Sequence, residues 1–196
     1  MRILALVALL ATGASAAPRD LEQARDRQDR AVLERIAASY RAAAFKQPGD
    51  ATAQYNMAVA QSYLAEVATE LRDKNGGRTA AEAGIQAAEK AVALKPSVAE
   101  HHRILGTLCG QVIPANVLAG LKYGRCALDS INKAIELDAK SAIAYVSRGV
   151  GNYYLPAAFG GGADIALKDL DKAIQLNPKL HEAYLWKGIA LRKLNR

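Results

Sequence analysis

Four times along this chain an amphipathic stretch runs into the same kind of ending, and that recurrence limits the fold more than any other feature. The endings are Ala43-Ala44-Phe45-Lys46-Gln47-Pro48, Ala91-Val92-Ala93-Leu94-Lys95-Pro96, Ala134-Ile135-Glu136-Leu137-Asp138-Ala139 and Ala173-Ile174-Gln175-Leu176-Asn177-Pro178. In three of the four a proline closes the helix, because it cannot donate a hydrogen bond to the preceding turn. A new helix begins directly after each stop. Asp50 and Ser141 are placed to cap two of these, and Ser97 with Glu100 reads as a capping box for a third. The eighth residue of the new helices is Ala58, Gly106, Gly149 and Gly188, a side chain small enough to let a partner helix approach closely.

This arrangement resembles the tetratricopeptide repeat. The family pattern has a small residue at position eight, alanines at twenty and twenty-seven, and proline at thirty-two. Counted back from Ala139 the alanines are Ala127 and Ala134, from Pro178 they are Ala166 and Ala173, and from Pro96 the pair is Gly84 and Ala91. The match runs from about Ile36 to the end. Two departures are visible: an aromatic residue occupies the usual first-helix position only as Tyr145 and Tyr184, and Arg148 stands where the family has leucine. The resemblance implies an all-α, right-handed solenoid of antiparallel helix hairpins, with the first helix of each unit lining a concave wall.

Spacing adds detail. Successive stops lie 48, 43 and 39 residues apart, against about 34 for the family. Since helix starts and stops keep register, the extra residues are expected between the two helices of each unit, near Leu71 to Arg78, Gln111 to Leu121 and Leu155 to Ala163. The expected layout is one helix over 19–46, hairpins over 51–95, 98–138 and 142–177, and a closing helix over 179–194. Thr79 with Glu82 would start the second helix of the first hairpin, and Pro114 would sit in the first turn of another. The first half of the leading helix holds few apolar residues and is expected either to project into solvent or to be disordered.

The chain starts as an exported protein does. Met1 and Arg2 precede nine apolar residues, Ile3 to Ala11, and Ala14-Ser15-Ala16 offers a signal-peptidase site, so residues 1–16 read as a signal peptide and 17–196 as a single domain. The apolar run is about half the ~20 residues a bilayer-spanning helix needs, which predicts a periplasmic or secreted product without a permanent membrane anchor. The formal charge of +7 has mixed signs along the chain, and with export it argues against nucleic acid. Cys109 and Cys126 are a disulfide pair or two small buried side chains.

Carried onto this sequence, the family's ligand-facing positions include Tyr55, Val59, Arg103, Val146, Val150, Tyr153 and Tyr154. The third insert adds Phe159 and the glycines Gly160, Gly161 and Gly162. These residues are the expected partner-binding set, taking a protein or peptide, with a small apolar ligand or lipid as the alternative. The insert is expected to act either as a lid or as a plug over the hairpin core. No catalytic group, metal or cofactor is expected. His101 and His102 point about 100° apart on a helix and read as solvent-facing, and the glycines lack the Lys-Ser or Lys-Thr of a phosphate loop.

Overall fold

The computed structural model describes residues 19–113 and 117–196. Among them are nine α-helices and no strand: α1 Arg19–Asp26, α2 Arg30–Lys46, α3 Ala51–Glu70, α4 Lys74–Leu94, α5 Ala99–Val112, α6 Val117–Leu137, α7 Ala142–Tyr154, α8 Ala163–Leu176 and α9 His181–Lys193. Residues 1–18, which include the expected signal sequence, and Pro114 lie outside the described residues.

Each helix packs against the one that follows it, and α3, α5 and α7 also touch the next odd-numbered helix. Among the described residues the backbones of the even-numbered helices α2, α4, α6 and α8 stay apart from one another. Close odd helices and splayed even ones bend the stack into the right-handed α-solenoid, with α1, α3, α5, α7 and α9 as its inner wall. Small residues make the approach possible. A Cβ added to Gly106 would stand 2.5 Å from Ile131 Cγ1 of α6, and one added to Gly149 would stand 3.0 Å from Leu170 Cγ of α8. Either contact would force the neighbouring helix outward.

The leading segment differs from the single projecting helix expected over 19–46. It is a helix pair, broken at Gln28, whose φ is 53°. Asp29 then caps α2 by accepting a hydrogen bond from the Val32 amide at 3.1 Å. Leu21 and Ala24 of α1 are buried, so α1 packs on the stack and does not extend into solvent. The unit has the family's own length. Counting back from Pro48 puts Ala24 on the eighth position and Ala17 on the first, 34 residues before Ala51.

Two of the inserts are likewise less loop-like than expected. The residues after α3 are mostly helical, since α3 runs to Glu70 and α4 already starts at Lys74. Asp73, not Thr79, caps α4, accepting from the Gly76 amide at 2.8 Å. Ser97 does not cap α5 either; Val98 occupies that position without a side-chain bond, and Glu100 turns to Arg103. The third insert makes a long non-α connection, with a 3-10 turn over Ala157–Phe159.

Cys109 and Cys126 form a disulfide with Cα atoms 6.0 Å apart, joining α5 to α6. Arg148, in the family's leucine position, is explained by its surroundings. It donates to Asp169 at 3.0 and 2.7 Å, and Asn152 donates to the same carboxylate at 3.0 Å. A hydrogen-bonded ion pair between α7 and α8 has taken the place of an apolar contact.

Candidate binding surfaces

On the inner wall two of the expected partner-binding residues, Tyr55 and Arg103, are tied up in polar contacts. Tyr55 on α3 is buried, and its hydroxyl donates to Glu100 Oε1 at 3.2 Å. Arg103 donates to both oxygens of the same carboxylate, at 2.8 and 2.9 Å from Nε. His101 stacks on the Tyr55 ring at 5.5 Å and bonds the Ala91 carbonyl at 3.0 Å. It is therefore buried, contrary to the expectation that it faces solvent, and burial lowers its pKa. Burial likewise pushes the Tyr55 hydroxyl up, so it stays a neutral donor.

A second polar group closes the wall between the two ends of the solenoid. Arg25 of α1 lies 4.6 Å over the Tyr63 ring of α3 and reaches Glu182 of α9 at 3.2 Å. Glu66 of α3 faces this guanidinium, with Glu70, Glu182 and Asp26 also near. Burial is the largest influence and raises its pKa to about 7. Neither Arg25 nor Glu66 belongs to the residues singled out from the sequence. Arg25 could have been found by recognising α1 as a first helix, because it follows the eighth-position Ala24. Glu66 carried no such signal.

Of the expected partner-binding residues, Val59 and Val146 are core side chains at 3% and 4% exposure. Val150 is partly buried against the cluster that contains Val146. Tyr55 and Arg103 are engaged with Glu100. What remains accessible is Tyr154, 65% exposed, and Phe159, 76% exposed, with Tyr153 half-buried beneath them.

These three gather at the third insert. The rings of Tyr153 and Tyr154 are 5.0 Å apart, and Trp186 of α9 lies 5.9 and 6.0 Å from them, all in edge-on geometry. Lys193 stands 4.2 Å over the Tyr153 ring and donates to the Tyr153 carbonyl at 3.0 Å. The backbone then turns back through Gly160 and Gly162, whose φ values of 84° and 111° suit glycine. The Gly162 amide closes the loop on the Asn152 carbonyl at 2.8 Å. Exposed Tyr154 and Phe159 do not fill the hairpin end, so the plug expectation fails for both.

Among the described residues no group of three His, Cys, Asp or Glu side chains is placed to hold a metal. No described helix is long and apolar enough to cross a membrane.

No family model and no curated protein matches the chain. Solved structures do. The HusA haemophore from Porphyromonas gingivalis is similar over 91% of this chain and 96% of its own, at 17% identity and a TM-score of 0.61. TTC0263, a thermophilic TPR protein in Thermus thermophilus, is similar over 88% of this chain and 89% of its own, at 18% identity and a TM-score of 0.54. With hairpins stacked inner helix to inner helix and small residues at the eighth positions, the fold of this chain is that of a tetratricopeptide-repeat solenoid.

Proposed function

We propose that the protein is an exported binding scaffold, without catalytic activity, that takes a protein or peptide partner at the aromatic rim formed by Tyr153, Tyr154, Phe159 and Trp186. The observation that carries this reading is the exposure of Tyr154 beside the Tyr153–Trp186 pair, with exposed Phe159 following in the same insert. Such rings bring large contact area at small entropic cost, which is why aromatics dominate binding hot spots. Export is supported by the disulfide between Cys109 and Cys126, since such bonds persist in oxidising compartments. A periplasmic or extracellular location is part of the proposal.

Purification from the native envelope with and without Tyr154→Ser and Phe159→Ser tests it. A specific partner should accompany the unaltered protein and be lost from the double variant, while far-UV circular dichroism stays the same. Equal recovery of that partner with both proteins would refute the rim as its site.

A second reading is a carrier for a small apolar ligand with an anionic group. Edge-on aromatics flanked by Lys193 suit such a molecule, and a protein of similar fold is a haemophore. Native mass spectrometry separates the readings: a carrier retains a small-molecule mass that the double variant loses.

A further inference from the structure

The solenoid curves far enough for its first and last inner helices to face each other across the inner wall. Among the described residues the backbones of α1 and α9 stay apart. The gap is spanned by the Arg25 guanidinium, 3.2 Å from Glu182 Oε1, and among the described residues this is the only hydrogen bond or ion pair between the two helices. A single pair with both side chains partly open to water is weak enough to form and break reversibly.

Arg25 is also held from the other side. Its guanidinium lies 4.6 Å over the Tyr63 ring of α3, and Glu66, three residues further on, shares that face of the helix. Helix α1 packs directly on α3, whereas α9 is carried by α7 and α8. The carboxylates open to Arg25 therefore belong to two bodies: Glu66 stays with α1, and Glu182 travels with α9. Asp26, 2.9 Å from Arg25, sits on α1 itself and favours neither.

The charges acting on Glu66 come from α1, α3 and α9. Burial is the main reason that Glu66 keeps its proton to about pH 7; Arg25 works against this, and the carboxylates Glu70, Glu182 and Asp26 add to it. Groups of the outer helices α2 and α4 are not among the leading influences. Glu22 of α1 and Arg103 of α5 act on the neighbouring Tyr63, and Arg103 is itself paired with Glu100.

We propose that the Arg25–Glu182 contact is a proton-controlled clasp, which holds α9 to α1 while Glu66 is neutral and releases it when Glu66 ionises. Ionised Glu66 repels Glu182 and competes with it for Arg25. Moving α9 away relieves the burial and the repulsion together, so the open form holds the Glu66 proton less tightly than the closed one. The closed form thus binds more protons, and closure weakens as pH rises from the ordinary value of 4.5 through about 7. The inner wall with Tyr63 and Arg103 is then shut in acid and open above neutrality. The clasp stands whether or not the aromatic rim binds a partner.

Distance measurement tests this. Gln23→Cys on α1 and Gly188→Cys on α9 are exposed sites for nitroxide labels, and the native cysteines are already paired with each other. Double electron–electron resonance should show a short distance at pH 5.5 and a longer one at pH 8, the ratio of short to long falling at least about tenfold. Glu66→Gln should keep the short distance at both pH values. Glu182→Ala should give the long distance at both; its side chain is 40% exposed, so this variant decides the matter even where Glu66→Gln loses its fold. A distance in the labelled parent that ignores pH or shortens as pH rises overturns the proposal. So does an unchanged pH response in Glu66→Gln, or a short distance that survives in Glu182→Ala.

Discussion

The two ends of the solenoid are packed differently. From Leu21 to Val112 the buried apolar side chains form one continuous cluster, rich in alanines at 0–2% exposure such as Ala58, Ala60, Ala81 and Ala88. From Val146 to Ala190 a second, smaller cluster takes over. Between them polar atoms meet: Arg103 and Thr107 of α5 each approach the Ser147 hydroxyl of α7 at 3.5 Å, and Arg148 of α7 donates to Asn132 of the outer helix α6 at 3.2 Å. These hydrogen bonds make a polar seam between the two apolar clusters. A solenoid adds stability by nearest-neighbour interfaces, so a polar interface in the middle is where cooperativity is weakest. The aromatic rim and the exposed Tyr184 and Leu185 of α9 belong to the smaller side. Exposed apolar side chains occur at both ends, Phe45 at 87% as well as Phe159 at 76%, so what separates the ends is the size and continuity of the buried cluster.

That comparison can be broken by mutation, starting where the largest effect is expected. Leu108 is fully buried in the first cluster, and Leu108→Ala should cost about 2–5 kcal/mol in urea unfolding. Leu185→Ala, at 62% exposure on α9, should change stability by less than about 0.5 kcal/mol. Equal losses would erase the distinction between the ends.

The disulfide comes next. Cys109 is buried in the first cluster and Cys126 packs against it, 17 residues away in sequence. Replacing both with Ser should lower stability by roughly 2–4 kcal/mol. Hydrogen exchange should show the loss in α5 and α6 ahead of α8 and α9. Uniform loosening along the whole chain would mean that the polar seam does not separate the cores.

The smallest effect concerns the ends' closure. Glu66 holds its proton to about pH 7 in the native state, against an ordinary value of 4.5. Between those values the native state binds more protons than the unfolded one, so stability falls as pH rises, and the full cost is present above pH 7. Glu66→Gln should remove this slope and raise stability at pH 8 by roughly 1 kcal/mol, a figure reduced for solvent screening of a half-buried group. An unchanged pH profile in chemical denaturation would show that Glu66 is not the group sensing the Arg25–Glu182 contact.

How much of this was legible in the sequence depends on the range of the forces. Helix stops at Pro48, Pro96 and Pro178 and caps at Asp50 and Ser141 act within a few residues, and they read correctly. The capping box at Ser97 misled because Glu100 found a stronger partner in Arg103 than an amide. The first hairpin was missed although Ala24 and Asp29 both mark it, since the short α1 has only one turn of apolar periodicity to show. At the candidate surface, Tyr154 was singled out by repeat position and Phe159 by its insert, and both are accessible. Val59 and Val146 were singled out by repeat position, as Tyr154 was, and are buried. A position in the repeat states which way a side chain faces along its own helix; curvature determines whether that direction opens on solvent.

By itself the sequence determined the repeat: its helical elements, the small residues at their crossings and the all-α solenoid that follows, because capping, helix termination and steric size are local properties. Tertiary structure alone decided which surface is open. Arg25 and Glu182 are 157 residues apart and meet because the stack curves, and Trp186 joins Tyr153 and Tyr154 only once α9 lies beside α7. Those contacts depend on small crossing angles accumulated over successive helix pairs, a sum that no single stretch of chain encodes.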